Sequence, residues 1–337
     1  MVQEPVEEAL RPLPWATPHP TQPWRPQPLE ERPVPQSPTR RPARSPRSPA
    51  PPARALQRTG SLLQRAQLPP VLSTLLIPLA ARAHGGRYFP WLDCHDAVAQ
   101  ALLTQLGADV SSTLDDLPTV LHVLWRTRAI KEAGRAFFAE HPQALGVNLG
   151  CGLTHHFQWL DTGANQWLDA DLPPVMALRK PLLPPQCPRM RHADLDLSQP
   201  GWWQRLGLPA QRTDPPVLLV CEGVLMYLPP AQVHAVLAEF AQHAPPGSRM
   251  VLDVMTRQAV GCAARHASVG PTGAEFRWGV GRMAELAAVH PRLQLLREQS
   301  VAEGYGWAGI AMDMWWRPWL GAPLYGLATL GVRDGPP

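Results

Sequence analysis

The sequence predicts an α/β, doubly wound domain behind a helical front portion, and three observations carry that expectation. After His141, short apolar segments of strand length alternate with segments of helical periodicity. One of the strands, 216–221 (PVLLVC), is apolar throughout, the pattern of a strand buried on both faces. Another, 144–149, runs directly into Gly150-Cys151-Gly152, a turn in which a ligand can approach the backbone without meeting a Cβ.

The elements follow in chain order. Residues 1–55 hold 16 of the 42 prolines and 8 arginines against 5 acids, and have no apolar periodicity. Proline removes the backbone donor that a helix or strand needs, so this stretch is expected to be a disordered Pro/Arg-rich tail. Residues 56–142 read as a helical cap. Ala97, Val98, Ala101, Leu102 and Leu106 recur at 3–4 spacing behind Asp93 or Asp96 as N-cap. A second helix runs over 117–138 with Pro118 in its first turn. The core, 143–337, continues with a strand at 166–171, a Pro-started helix to 182, and a weaker strand at 190–195. After 216–221 come a helix at 230–244, a strand at 249–255 (RMVLDVM) and a helix at 281–289. Residues 293–300 and 324–332 are placed to close the sheet.

Composition narrows the function classes. The formal charge of +4 divides into +3 for the first 55 residues and +1 for the rest, so the body offers no electrostatic footprint for nucleic acid. The five cysteines form no CxxC pair, which argues against a disulfide framework or a zinc site. The most apolar early run, 71–81, is too short to span a bilayer and contains Pro78. No signal-peptide pattern follows Met1, so a cytoplasmic protein without nucleic-acid or membrane partners is expected.

The chemistry-bearing residues lie at the ends of strands. A dinucleotide fingerprint would want a small residue at position 155, where this chain has His155. An acid that takes ribose hydroxyls is expected about 20 residues beyond the glycines, and WLDADLP supplies both Asp169 and Asp171. Strand alternation points the two aspartates the same way, so spacing does not choose between them, and Asp171 is also placed to cap the following helix. Glu222 directly follows PVLLVC. A carboxylate at the mouth of a buried strand needs a partner, either a bound ligand or an arginine.

Taken together, VNLGCGL (147–153), WLDADLPPVMALRKPLL (167–183) and PVLLVCEGVLMYLPPAQV (216–233) resemble the leucine carboxyl methyltransferase family. The tetracenomycin-type polyketide O-methyltransferases form its bacterial branch. The resemblance extends forward to TLLIPLAARA (74–83) and LWRTRAIKEAGRAFF (124–138). It implies a class I methyltransferase fold: a Rossmann-like, seven-stranded, mostly parallel sheet with helices on both faces. It also implies S-adenosylmethionine as cofactor. By that resemblance Gly150 and Gly152 form the loop under the cofactor and Asp171 holds its ribose. Asp194 and Leu195 lie against the adenine, and Glu222 lines the cleft. Arg128, with Arg126 as the competing choice, reaches the methionine carboxylate, a group that a guanidinium grips in bidentate fashion.

One departure stands out. Where the family continues its glycine loop as Asp-Thr-Arg, this chain has Thr154-His155-His156. Two adjacent imidazoles invite a general-base role, but neighbours on a helix face different ways, so one packed and one solvated ring is the expectation. A metal role lacks a third ligand. Four tryptophans fall in 304–320, either as a wall of the acceptor pocket or as a satellite core over the sheet edge. The expected activity is O-methylation of a small-molecule or polyketide-like acceptor, with a carboxylate favoured over a phenol. An NAD-binding oxidoreductase and a non-catalytic methyltransferase-like scaffold are the alternatives.

Overall fold

In the computed structural model, which describes residues 74–334, the apolar runs pair into one sheet. The proposed tail and the start of the proposed cap lie outside the described residues. The strands are β1 (Leu145–Leu149), β2 (Gln166–Asp171), β3 (Met190–Asp194), β4 (Val217–Cys221), β5 (Arg249–Met255), β6 (Leu293–Ser300) and β7 (Tyr325–Val332). Their order across the sheet is β3-β2-β1-β4-β5-β7-β6. The first five are parallel, and β7 runs antiparallel to both β5 and β6. From β1 the chain winds outward through β2 to β3, then returns to start the other half at β4. The connection therefore changes direction between β1 and β4, and in open α/β sheets the crevice at that point is where ligands bind.

The local chemistry explains the elements. Every residue of β1, β4 and β7 is buried, as expected of strands covered on both faces. Helix α1 (Leu76–His84) opens the described chain. Asp96 caps α2 (Ala97–Leu106) by accepting from Ala99 N, and the same carboxylate pairs with Arg82 of α1 at 3.0 Å. Asp116 caps α3 (Leu117–Glu140) by accepting from Thr119 N, with Pro118 in the first turn. Helix α4 (Pro173–Leu182) follows β2 and α5 (Pro230–His243) follows β4, each starting on proline.

Two buried clusters flank the sheet. One joins α1, α2 and α3 to one sheet face through Leu79, Leu124, Ile130, Phe137 and Phe138. The other packs Trp202, Trp203, Leu237 and Phe240 against the opposite face.

Two expectations change in detail. The helix expected at 281–289 shrinks to the single turn Ala284–Ala287. The tryptophan segment forms α6 (Gly306–Leu320), yet it neither lines the main pocket nor makes a core. Trp307, Trp315, Trp316 and Trp319 all stand in solvent. Only Gly309 of its flank is buried, because that turn rests on Ala302 and Tyr305. Among the described residues no helix is long and apolar enough to cross a membrane.

Candidate active site

A cavity of about 250 Å³ opens at the β1–β4 switch point. One end is backbone and charge: Gly150 to Thr154, Glu222, Gly223 and Arg126. The other is mostly apolar, with Met226, Tyr227, Met255, Val269, Phe276 and Leu324.

The glycine turn has a steric basis. Gly150 has φ +66° and Gly152 φ +49°, values that L side chains rarely adopt. A Cβ at Gly150 would stand 2.2 Å from Val224 Cγ2. The glycines are therefore required by the left-handed backbone and by Val224 and Leu75 packing against the turn, whose residues line the cavity.

The two aspartates that spacing could not separate have different surroundings. Asp169 is fully buried. It takes Arg179 Nη2 at 2.6 Å, Trp167 Nε1 at 3.0 Å and Asn148 Nδ2 at 3.2 Å. Arg179 in turn donates to the carbonyls of Gly152 and Thr154, so Asp169 braces the glycine turn from within. Asp171 instead accepts from the backbone N–H groups of Gly152 and Leu172, each at 2.7 Å. Burial raises its carboxyl above the usual aspartate value, against the pull of those bonds and of Arg179. Asp194 pairs in β-register with Asp171, and its side chain is half exposed and holds Lys180 at 2.8 Å. Leu195 is buried and its N–H bonds the Asp171 carbonyl at 2.7 Å. Gly150, Gly152 and Glu222 share the cavity wall, whereas Asp171, Asp194 and Leu195 flank it along the carboxyl edge of β2 and β3.

The arginine in the cavity is Arg126. Its Nε donates to Glu222 Oε1 at 2.7 Å, and its Nη1 to Asp253 Oδ2 at 3.2 Å and Tyr325 Oη at 2.7 Å. Tyr325 also donates a short bond to Asp253. Glu222 further accepts from His156 Nε2 at 2.8 Å, and Arg82 Nη1 lies 3.8 Å away. Burial pushes the Glu222 carboxyl up, but Arg126, His156 and Arg82 outweigh it and hold the group well below the glutamate range. Asp253 goes the other way: its burial outweighs Arg126 and the Tyr325 bond.

Arg128 is elsewhere. Its side chain is 56% exposed, and it donates to Glu132 at 2.9 Å and to the Trp91 carbonyl at 3.2 Å. Two residues along a helix is a turn of about 200°, so Arg126 and Arg128 cannot face one cavity. The stripe Thr119, His122, Val123 and Arg126 is the face of α3 that lines it.

The histidines also depart from expectation. Neither is solvated: His155 and His156 are both buried. His156 is engaged with Glu222, and both ring nitrogens of His155 lack a partner. Burial lowers the His155 pKa. Among the described residues no group of three His, Cys, Asp or Glu side chains is arranged to hold a metal ion.

Sequence reasoning missed Asp253 and Tyr325. Asp253 had a signal, an acid inside the otherwise apolar strand RMVLDVM; Tyr325 had none, because its role depends on β7 pairing beside β5.

A mostly parallel sheet with this switch point and an antiparallel β7 between β5 and β6, a glycine turn after β1 and acids at the ends of β2 and β4 match a methyltransferase of the Rossmann-like class. A family profile described as Leucine carboxyl methyltransferase matches residues 77–241. The tetracenomycin polyketide synthesis O-methyltransferase TcmP of Streptomyces glaucescens is 30% identical over 234 residues, 69% of this chain and 84% of that protein. The S-adenosyl-L-methionine-dependent methyltransferase dpfgK of Gibberella zeae is 29% identical over 183 residues, 50% of this chain and 60% of that one. Among solved structures, a putative methyltransferase from Thermobifida fusca aligns at 15% identity and a TM-score of 0.46, covering 76% of this chain and 94% of that one. The chain belongs to the leucine carboxyl methyltransferase family and is an S-adenosylmethionine-dependent methyltransferase. That sets aside the oxidoreductase and scaffold alternatives.

Proposed function

We propose that the enzyme O-methylates a small, largely apolar acceptor at a carboxylate. The observation that carries this reading is the absence of a free general base on the acceptor side of the cavity, among the described residues. His266 Nδ1 accepts from Val269 N, and its Nε2 faces Thr119 Oγ1 at 3.4 Å, whose hydroxyl is given to Asp116. His122 is pushed down to about 4, by burial first and then by the charges of His266 and Arg126. Burial pushes Tyr227 up to about 12. A carboxylate is ionised at neutral pH and attacks without proton removal, whereas a phenol with a pKa near ~10 needs a base. The Streptomyces relative's name adds polyketide synthesis and O-methyl transfer as context for the acceptor class.

The residues fit a sulfonium nucleoside cofactor, which when bound supplies an electrophilic methyl group. Gly150 and Gly152 would underlie it, the Asp171 carboxylate would take its ribose hydroxyls, and Asp194 with Leu195 would flank its base. Glu222 would line the cleft. For the amino-acid end we assign Arg126 instead of Arg128, because Arg126 alone of the two is in the cavity wall. The protein's task is alignment of acceptor and methyl group for in-line displacement. The proposed division is a helical cap over 56–142, which supplies Arg126, and a cofactor-binding core over 143–337.

The test is a labelled-methyl transfer assay against matched panels of aromatic acids and phenols. Alkali-labile product from the acids, with a rate flat between about pH 6 and 8, is expected. Alkali-stable product from phenols, with a rate rising through that range, would overturn the carboxylate assignment.

A further inference from the structure

Helix α6 has two faces of different character. Gly309, Asp313 and Arg317, at i, i+4 and i+8, turn toward the body: Asp313 accepts from Ser300 Oγ at 3.0 Å, and Arg317 pairs with Glu298 and lies 3.8 Å from Asp313. The outward face is Trp307, Ala308, Ala311, Met314, Trp315, Pro318 and Trp319 without one charged residue, whereas Met312 and Trp316 turn to the flank and line a second cavity with Pro118 and Val301. Trp307 is 88% exposed and Trp319 82%. A helix of a water-soluble surface normally turns polar residues outward, so an apolar outward face of this width marks an interaction surface.

We infer that this face is the two-fold interface of a homodimer, with α6 packed against its copy. Area supports a second copy. The three outward indoles alone leave roughly 600 Å² exposed, taking ~250 Å² per side chain. That approaches the ~800 Å² that each partner contributes to a standard stable interface. Shape supports it as well. Ala308 and Ala311 leave shallow holes beside Trp307, Trp315 and Trp319, so one surface carries both ridges and grooves, as an isologous contact requires. Charge argues against a lipid surface. A helix lying on an anionic membrane carries cations on its flank, and the arginine in this helix, Arg317, is already paired with Glu298.

Sedimentation velocity on the full chain at about 10 µM tests this, a concentration at which standard interfaces associate. A particle of twice 37.1 kDa is expected, and the double variant Trp315→Glu/Trp319→Glu is expected to sediment as a monomer with an unchanged far-ultraviolet circular dichroism spectrum. Ala311→Glu, which removes no side chain packed within the monomer, is expected to dissociate the dimer too. A wild-type monomer would overturn the inference, whether the face is then covered by residues 1–73 of the same chain or by vesicles of phosphatidylglycerol and phosphatidylcholine. So would a dimer that survives all three charge insertions.

Discussion

Arg126 and Glu222, 96 positions apart in the chain, meet at 2.7 Å in the wall of the cavity. The pair joins the front helix α3 to the mouth of β4, and Asp253 and Tyr325 bring β5 and β7 to the same guanidinium. One side chain thus ties the cap to three strands of the sheet.

Removing that side chain leaves the buried Asp253 without its cation and Glu222 with only the more distant Arg82. Arg126→Ala is expected to destabilise the fold by about 3–5 kcal/mol, read by urea denaturation, and to weaken S-adenosylmethionine binding about tenfold or more in calorimetric titration. Arg128→Ala, at an exposed i,i+4 pair, should shift stability by no more than about 0.5 kcal/mol. Equal losses of cofactor affinity in the two variants would refute the assignment of Arg126.

Asp169 and Asp171 should separate by phenotype. Asp169→Asn strands a fully buried Arg179 and is expected to lower stability by about 3 kcal/mol. Asp171→Asn keeps one acceptor oxygen for the two backbone N–H groups of Gly152 and Leu172, so it is expected to lose about 1 kcal/mol of stability. It is expected to bind cofactor about 10–100-fold more weakly, since it also loses charge-assisted bonds to the ribose hydroxyls. Thermal melts with and without S-adenosylmethionine distinguish the two; full affinity in Asp171→Asn would sink the ribose role.

The pH dependence of stability carries a histidine signature. His122 falls to about 4 in the folded chain because of burial and the nearby His266 and Arg126 charges, against ~6.5 when unfolded. The unfolded chain therefore takes up the proton first as pH falls. Its contribution is whole above about pH 6.5 and is lost progressively toward pH 4, about 3 kcal/mol in all. His122→Phe, which keeps the stack on Tyr325, should flatten the melting-temperature profile across this window. An unchanged slope would show that other groups carry the acid sensitivity.

The two neighbouring histidines should respond oppositely to leucine. His155 is buried with neither ring nitrogen bonded, so His155→Leu is expected to be neutral or stabilising by about 1 kcal/mol. His156→Leu takes a bond from the Glu222 carboxylate and should cost about 1.5–3 kcal/mol. Differential scanning calorimetry of both variants reads the contrast, and a destabilised His155→Leu would point to a polar role for that ring.

The strand ends were legible because each announces itself locally. A continuous apolar run followed by Glu222, and a strand running into two glycines, are statements about neighbouring residues. The choice between Asp169 and Asp171 was not local. Both sit at alternate positions of one strand, and only Arg179 arriving from α4 takes Asp169 into the interior. Arg126 and Arg128 were similarly ambiguous in a helix apolar on most of its circumference. The 119, 122, 123, 126 stripe was there to be read, but nothing in it says which face meets the β4 mouth.

The sequence alone determined the α/β alternation, the glycine turn, the acids at the strand ends and the family resemblance, because these depend on hydrophobic period and short-range spacing. The tertiary structure decided which charges share one site. Glu222, Asp253, Tyr325, His156 and Arg126 come from five separate elements, and a buried charge is stable only where all its partners converge. It also turned Trp307, Trp315 and Trp319 of α6 outward, since the inward face was taken by Gly309, Asp313 and Arg317. Convergence and orientation of this kind are properties of packing between distant segments, which no local pattern encodes.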